Sequence, residues 1–162
     1  MKDLLDKIGV YNIFNFLLPG VLFAVILESL TTYSIIQENL VAGAFLYYFV
    51  GLVISRFGSL VIEPVLKKIY FVKFMPYTDF ISASKSDPKI EILSQENNMY
   101  RTFVALFVLL LFSKIYELFA KNYPPLDEQG TTIIVVVLMI TFIFSYRKQT
   151  FYIANRIKAT KT

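Results

Sequence analysis

Four apolar runs, each close to the roughly 20 helical residues that a bilayer core demands, leave this chain few folds to adopt. They cover Tyr11 to Leu30, Leu40 to Ile62, Thr102 to Ala120, and Thr131 to Tyr146, the last extending toward residue 150 through Phe151 and Tyr152. Arg56 alone interrupts the second run, and Lys114 and Glu117 lie near the far end of the third. The runs show no period-two alternation of the membrane-barrel kind. The other structure that satisfies every backbone group in lipid is the helix. The expectation is an all-α integral membrane bundle of four transmembrane helices, over about 11–30, 40–62, 102–120 and 131–150, in a single domain spanning residues 1–162.

Charge orients the bundle. The chain is 17% charged and 56% hydrophobic, with a net charge of +4, against about 25% charged residues in a soluble domain. Lys2 and Lys7 precede the first run; Lys67, Lys68, Lys73, Lys85, Lys89 and Arg101 lie between the second and third; Arg147, Lys148, Arg156, Lys158 and Lys161 follow the fourth. The two remaining connections hold only Glu38, and Lys121, Asp127 and Glu128. The positive-inside rule then places both termini and the 64–101 connection in the cytoplasm. For a bacterial chain that means the inner (plasma) membrane, crossed several times. The basic residues flank lipid-length runs, so nucleic acid is not an expected partner.

The first run reads as a retained helix rather than a signal peptide. Asp3 and Asp6 sit beside Lys2 and Lys7, Pro19-Gly20 interrupts the apolar stretch, and Glu28-Ser29-Leu30 is no Ala-x-Ala cleavage site.

Cys and His are both absent. That excludes disulfides, thiol nucleophiles, Cys/His zinc sites and histidine acid–base chemistry. No paired Asp lies within the runs. The expectation is a non-enzymatic protein without metal or cofactor.

The polar residues inside the runs are the candidate site. Arg56 lies about 10 Å from the cytoplasmic edge of the second run. It either lines a polar contact or a water-filled path, or snorkels to the headgroups. Glu63, at i+7, falls on its helical face, which predicts a pair through extended side chains. Gly51, Ser55, Gly58 and Ser59 give the same run a small-residue face, for an oligomer interface or for packing within one subunit. In the first run Asn12 and Asn15 precede Pro19 and Gly20. Pro19 removes the hydrogen bond to the Asn15 carbonyl and predicts a kink; freed carbonyls there suit an ion site, or belong to an ordinary proline kink. Lys114 and Glu117, at i and i+3, predict a structural pair.

The 64–101 connection is the one segment large enough for soluble structure. Ser86-Asp87-Pro88, with Glu91 in the next turn, marks a helix start that continues into the third run. Met75-Pro76 predicts a turn before a short helix through Ser84. Tyr77, Asp79, Asp87, Glu91, Glu96 and Arg101 form the candidate cytoplasmic contact surface. The two outer connections are short, which predicts that sequence-adjacent helices pack antiparallel. The alternating basic and apolar residues of 147–162 suit either an interfacial helix on anionic lipid or a continuation of the fourth helix with a basic tail.

Three stretches carry a resemblance: FNFLLPG at 14–20, GLVISRFGSLVIEP at 51–64, and PYTDFISASKSDPKIEILSQENNMYRT at 76–102. Together they are similar to a group of small uncharacterised bacterial four-span membrane proteins, known mainly as hypothetical proteins, some of which occur in phage-defence gene neighbourhoods. The resemblance covers about half the chain and implies no catalytic or ligand motif. The leading expectation is a homo-oligomer, assembled through the second run, whose cytoplasmic face contacts a soluble partner or a ligand, in a defence setting. The alternative is a small channel or transporter with Arg56 lining an anion-favouring path.

Overall fold

The computed structural model describes residues 9 and 11–160; Lys2, Lys7 and Lys161, used above for orientation, lie outside them. The described chain is helical, without strands. Four of its helices are long and apolar enough to cross a membrane: α1 (Ile13–Leu30), α2 (Leu40–Lys68), α4 (Lys89–Asn122) and α6, whose apolar segment is Gly130–Ala159 and which ends at Thr160. Two shorter helices join them, α3 (Tyr77–Ser86) and α5 (Pro124–Glu128). This is a multi-pass membrane protein.

The spans run further than the apolar residues alone indicate. α4 has 34 residues and so reaches about 51 Å, longer than the roughly 30 Å that a hydrocarbon core requires. Asp87 starts it, the carboxylate accepting from the Lys89 N–H at 2.9 Å and the carbonyl from the Ile90 N–H at 3.1 Å. α6 runs unbroken for 31 residues, so the basic tail continues the fourth span through residue 160 rather than forming a separate helix. α2 begins at an Asn39 cap, whose side chain accepts from Val41 and Ala42 N–H at 3.0 Å each.

Proline shapes α1 and α2 in the same way. The turns Ile13–Leu17 and Gly58–Ile62 are π-helical, and each stops two residues before a proline, Pro19 and Pro64. The N–H just before each proline bonds five residues back, Leu18 to Ile13 and Glu63 to Gly58. Proline has no N–H to offer and its ring crowds the carbonyl four residues earlier. The preceding turn widens to relieve both problems. The expected kink at Pro19 therefore takes the form of an inserted π turn.

Glycine lets α1 and α2 touch along their backbones. A Cβ on Gly20 would collide with the Tyr47 carbonyl, and one on Gly51 with the Phe16 backbone. A Cβ on Gly58 would meet Ala105 Cβ and the Arg101 carbonyl oxygen, each at 3.2 Å. Gly51, Ser55, Gly58 and Ser59 are all buried within this one chain. The small-residue face of α2 is thus filled by α1 and α4 and, at Ser59, by Lys148 of α6. Of the two readings of this face, burial within the single chain favours packing inside one subunit over an oligomer interface.

The apolar core is Leu27 of α1, Ile54 of α2, and Ala105, Leu106 and Leu110 of α4. α6 stands at the edge, and none of its most apolar stretch is buried. It settles mainly on α2 rather than on its sequence neighbour α4, as the Phe49–Phe142 ring stack at 6.0 Å marks. The connection from α4 to α6 is short, yet α6 rests on α2, which also carries the partners of Lys148, Ser59 and Glu63.

Candidate functional site

The polar groups collect at the end of the bundle that carries the 69–88 connection, in two tiers. The deep tier draws one residue from each core helix. Thr102 Oγ1 lies 3.1 Å from Asn15 Oδ1, 3.3 Å from Ser55 Oγ and 2.8 Å from the Asn98 carbonyl oxygen. Asn15 Nδ2 reaches Ser55 Oγ at 3.5 Å. All three side chains are buried, and in an apolar surrounding an unbonded polar group is costly. The triad therefore fixes the mutual height of α1, α2 and α4. Such bonds within membranes contribute about 0.6 kcal/mol on average, so their role is register more than stability.

The shallow tier centres on Glu63, whose side chain is 7% exposed. One carboxylate oxygen accepts from Lys67 Nζ at 2.9 Å, the other from Arg101 Nη1, and Lys148 Nζ lies 3.7 Å away. Cations from α2, α4 and α6 thus converge on one carboxylate. Lys148 does more. Its Nζ donates to the Ser59 carbonyl at 2.6 Å and approaches Ser59 Oγ at 2.7 Å. In the π register the donor due to the Ser59 carbonyl is the N–H of Pro64, which does not exist; the Glu63 N–H is already committed to Gly58. Lys148 satisfies the carbonyl that Pro64 orphans.

Between the tiers and the α3 region lies a cavity of about 830 Å³. α2 supplies Ser55, Arg56, Ser59, Glu63 and Lys67 to its wall; α1 supplies Asn15 and Phe16; α4 supplies Asn97, Asn98 and Arg101; the connection and α3 supply Lys73, Phe74 and Tyr77. Four cationic side chains, Arg56, Lys67, Lys73 and Arg101, face it against the one carboxylate of Glu63. Lys67 is also held over the Phe74 ring at 3.9 Å. Tyr77 closes one side, tilted against Tyr152 of α6 at 6.3 Å between ring centres.

The expected Arg56–Glu63 pair does not form. Among the described residues Arg56 makes no ion pair, and Glu63 is taken by Lys67, Arg101 and Lys148. The π turn between them is the reason: it inserts one residue and turns Glu63 about 100° off the face an i+7 spacing assigns it. Asn12 is half-buried and lies off the cavity wall, whereas Asn15 is on it. Pro19 and Gly20 are buried behind it. Of the six-residue contact surface, Tyr77 and Arg101 line the cavity. Asp79, Asp87, Glu91 and Glu96 point to solvent elsewhere, with Asp79 bonded to Thr78 and Asp87 capping α4. No cluster of three metal-ligating side chains occurs among the described residues.

Thr102 and Lys148 are not singled out by the sequence. Thr102 opens an apolar run and Lys148 sits in a basic tail; neither position distinguishes them, because their partners lie 47 to 89 residues away. At the opposite end the Lys114–Glu117 pair forms at 2.7 Å, and more is built on it. Glu117, 1% exposed, also accepts from Lys121 at 3.1 Å and from the Thr32 N–H at 2.9 Å. It pins the α1–α2 connection to α4.

The polar column is not continuous. Leu27, Ile54, Leu106 and Leu110 fill the space between the Thr102 triad and the Glu117 cluster, which are about 22 Å apart along α4. The cavity is a blind pocket above an apolar plug. Its cations are placed for holding an oxyanion, and its aromatic wall for an apolar body attached to one. No protein-family model, curated protein or solved structure matches this chain.

Proposed function

We propose that this chain is a non-enzymatic membrane protein of the bacterial inner membrane, with both termini and the α3 connection in the cytoplasm, that works by holding a partner or ligand in the pocket at its cytoplasmic end. The observation that carries the reading is the blind, charge-asymmetric pocket: four cations and one carboxylate line it, and an apolar core closes it below. The distribution of Lys and Arg supports the orientation. The resemblance of three stretches of the sequence to small bacterial four-span proteins, some of which occur near phage-defence genes, is what supports a defence setting, in which pocket occupancy would report on, or trigger, a change at the membrane. A homo-oligomer remains part of the proposal. Since the small-residue face of α2 is filled within the subunit, the interface is placed on α6, none of whose most apolar stretch is buried.

The alternative of a conducting path lined by Arg56 meets the plug of Leu27, Ile54, Leu106 and Leu110. Reconstitution separates the two readings. Liposomes holding the protein are expected to leak chloride and potassium no faster than empty ones. A single cysteine at Asn97, on the pocket wall, is expected to react with a water-soluble maleimide. Anion flux above the empty-liposome rate overturns the holding reading in favour of conduction. An Asn97→Cys thiol inert to the reagent overturns the open pocket.

A further inference from the structure

We infer that the pocket binds a phosphate-bearing anion, with Arg56 as its primary contact; the inference rests on the holding function proposed above and names its ligand class. Arg56 is half-buried on the pocket wall and pairs with no carboxylate among the described residues. Burying a guanidinium without a counterion is costly in a membrane segment, so the position calls for an anion that the described residues do not supply. Lys73, from the connection, lines the same space and also has no ion pair among the described residues. Lys67 and Arg101 are shared with Glu63 and leave a net positive wall.

Depth narrows the ligand. The wall from Arg56 to Lys67 rises roughly 16 Å along α2, from inside the hydrocarbon edge into the headgroup layer. The oxyanion most abundant at that level is phosphate, and a guanidinium fork matches its oxygens in a bidentate way that a lone ammonium does not. The cavity, about 830 Å³ and lined in part by Phe16, Phe74 and Leu93, also has room for an apolar attachment. Two sources share this chemistry: the headgroup of an anionic phospholipid, and a soluble phosphoester entering from the water side.

Native mass spectrometry of the detergent-purified full chain distinguishes them. The probes are phosphatidylglycerol, zwitterionic phosphatidylcholine and inorganic pyrophosphate. The comparison is between Arg56→Gln, Lys73→Ala and Lys68→Ala, the last an exposed cation at the same level that does not line the pocket. Loss of one charge-assisted contact lowers occupancy about tenfold. If the source is lipid, phosphatidylglycerol is retained over phosphatidylcholine, and Arg56→Gln lowers that retention about tenfold while Lys68→Ala does not. If the source is soluble, pyrophosphate binds with the same dependence. Lys73→Ala, in an exposed connection outside the helices, keeps the test readable if Arg56→Gln fails to fold, and is expected to weaken the same ligand. Equal retention of both lipids with no pyrophosphate bound overturns the inference, as does an effect of Lys68→Ala equal to that of the pocket variants. Tight liposomes and a reactive Asn97→Cys thiol alongside that outcome would leave the holding function standing and sink only its ligand.

Discussion

Replacing Glu63 with alanine should destabilise the bundle by about 3–5 kcal/mol. The carboxylate is 7% exposed, and its partners Arg101, Lys148 and Lys67 are 19%, 25% and 42% exposed. Lys67 can swing to water, and an exposed pair of that kind contributes at most about 1 kcal/mol. Arg101 and Lys148 cannot leave so easily, because Arg101 packs beside Gly58 and Lys148 is held by Ser59. Removing the carboxylate leaves two part-buried cations facing each other with no counterion, which is the costly case. Lys148→Met removes one cation and the two contacts with Ser59, and should cost about 1–2 kcal/mol. In the double variant Glu63→Ala/Lys148→Met the penalty should fall well below the sum, because one of the stranded charges is gone. Tryptophan is absent, so unfolding is followed by far-UV circular dichroism during titration with sodium dodecyl sulfate. A Glu63→Ala cost under about 0.5 kcal/mol, or strict additivity with Lys148→Met, would refute the convergence of three helices on this carboxylate.

Gly51→Leu forces a side chain into the Phe16 backbone and should cost about 3 kcal/mol or more in the same titration; wild-type stability with only a change in oligomer size would contradict packing within the subunit. Thr102→Val keeps shape and deletes the shared hydroxyl, for an expected loss of about 0.6–1.7 kcal/mol; an unchanged unfolding midpoint would remove the triad from the account. Glu117→Gln should speed hydrogen exchange in 31–39, the Thr32 amide above all, since that N–H is bonded to Glu117 at 2.9 Å; exchange at the wild-type rate would show that the carboxylate does not hold the connection.

The helices were legible because each depends on residues close in sequence. Lipid-length apolar runs and Asp87-Pro88 before α4 are local signals, and the structure builds on each. The small residues of α2 were visible too, but not what they face. Gly51 meets Phe16 across the α1–α2 connection, and a single sequence carries no record of which helix fills a groove. Arg56 is visible in the sequence as a charge within a span, but the i+7 spacing to Glu63 does not translate into a pair: Pro64 forces the π turn at Gly58–Ile62, and i+7 no longer returns to the same face. That signal was present in the sequence, since proline six residues past Gly58 announces a disturbed turn. Lys148 and Thr102 were not legible in this sense, because their meaning lies wholly in partners on other helices.

The absence of cysteine makes any introduced thiol unique, and a paired labelling experiment goes to the centre of the account. Lys85→Cys, at the end of α3, and Glu38→Cys, between α1 and α2, are treated with a membrane-impermeant maleimide in intact cells and in inside-out vesicles. Glu38→Cys is expected to be labelled in cells and Lys85→Cys only in vesicles. Labelling of Lys85→Cys in intact cells would put the pocket on the wrong side of the membrane and contradict the proposed orientation.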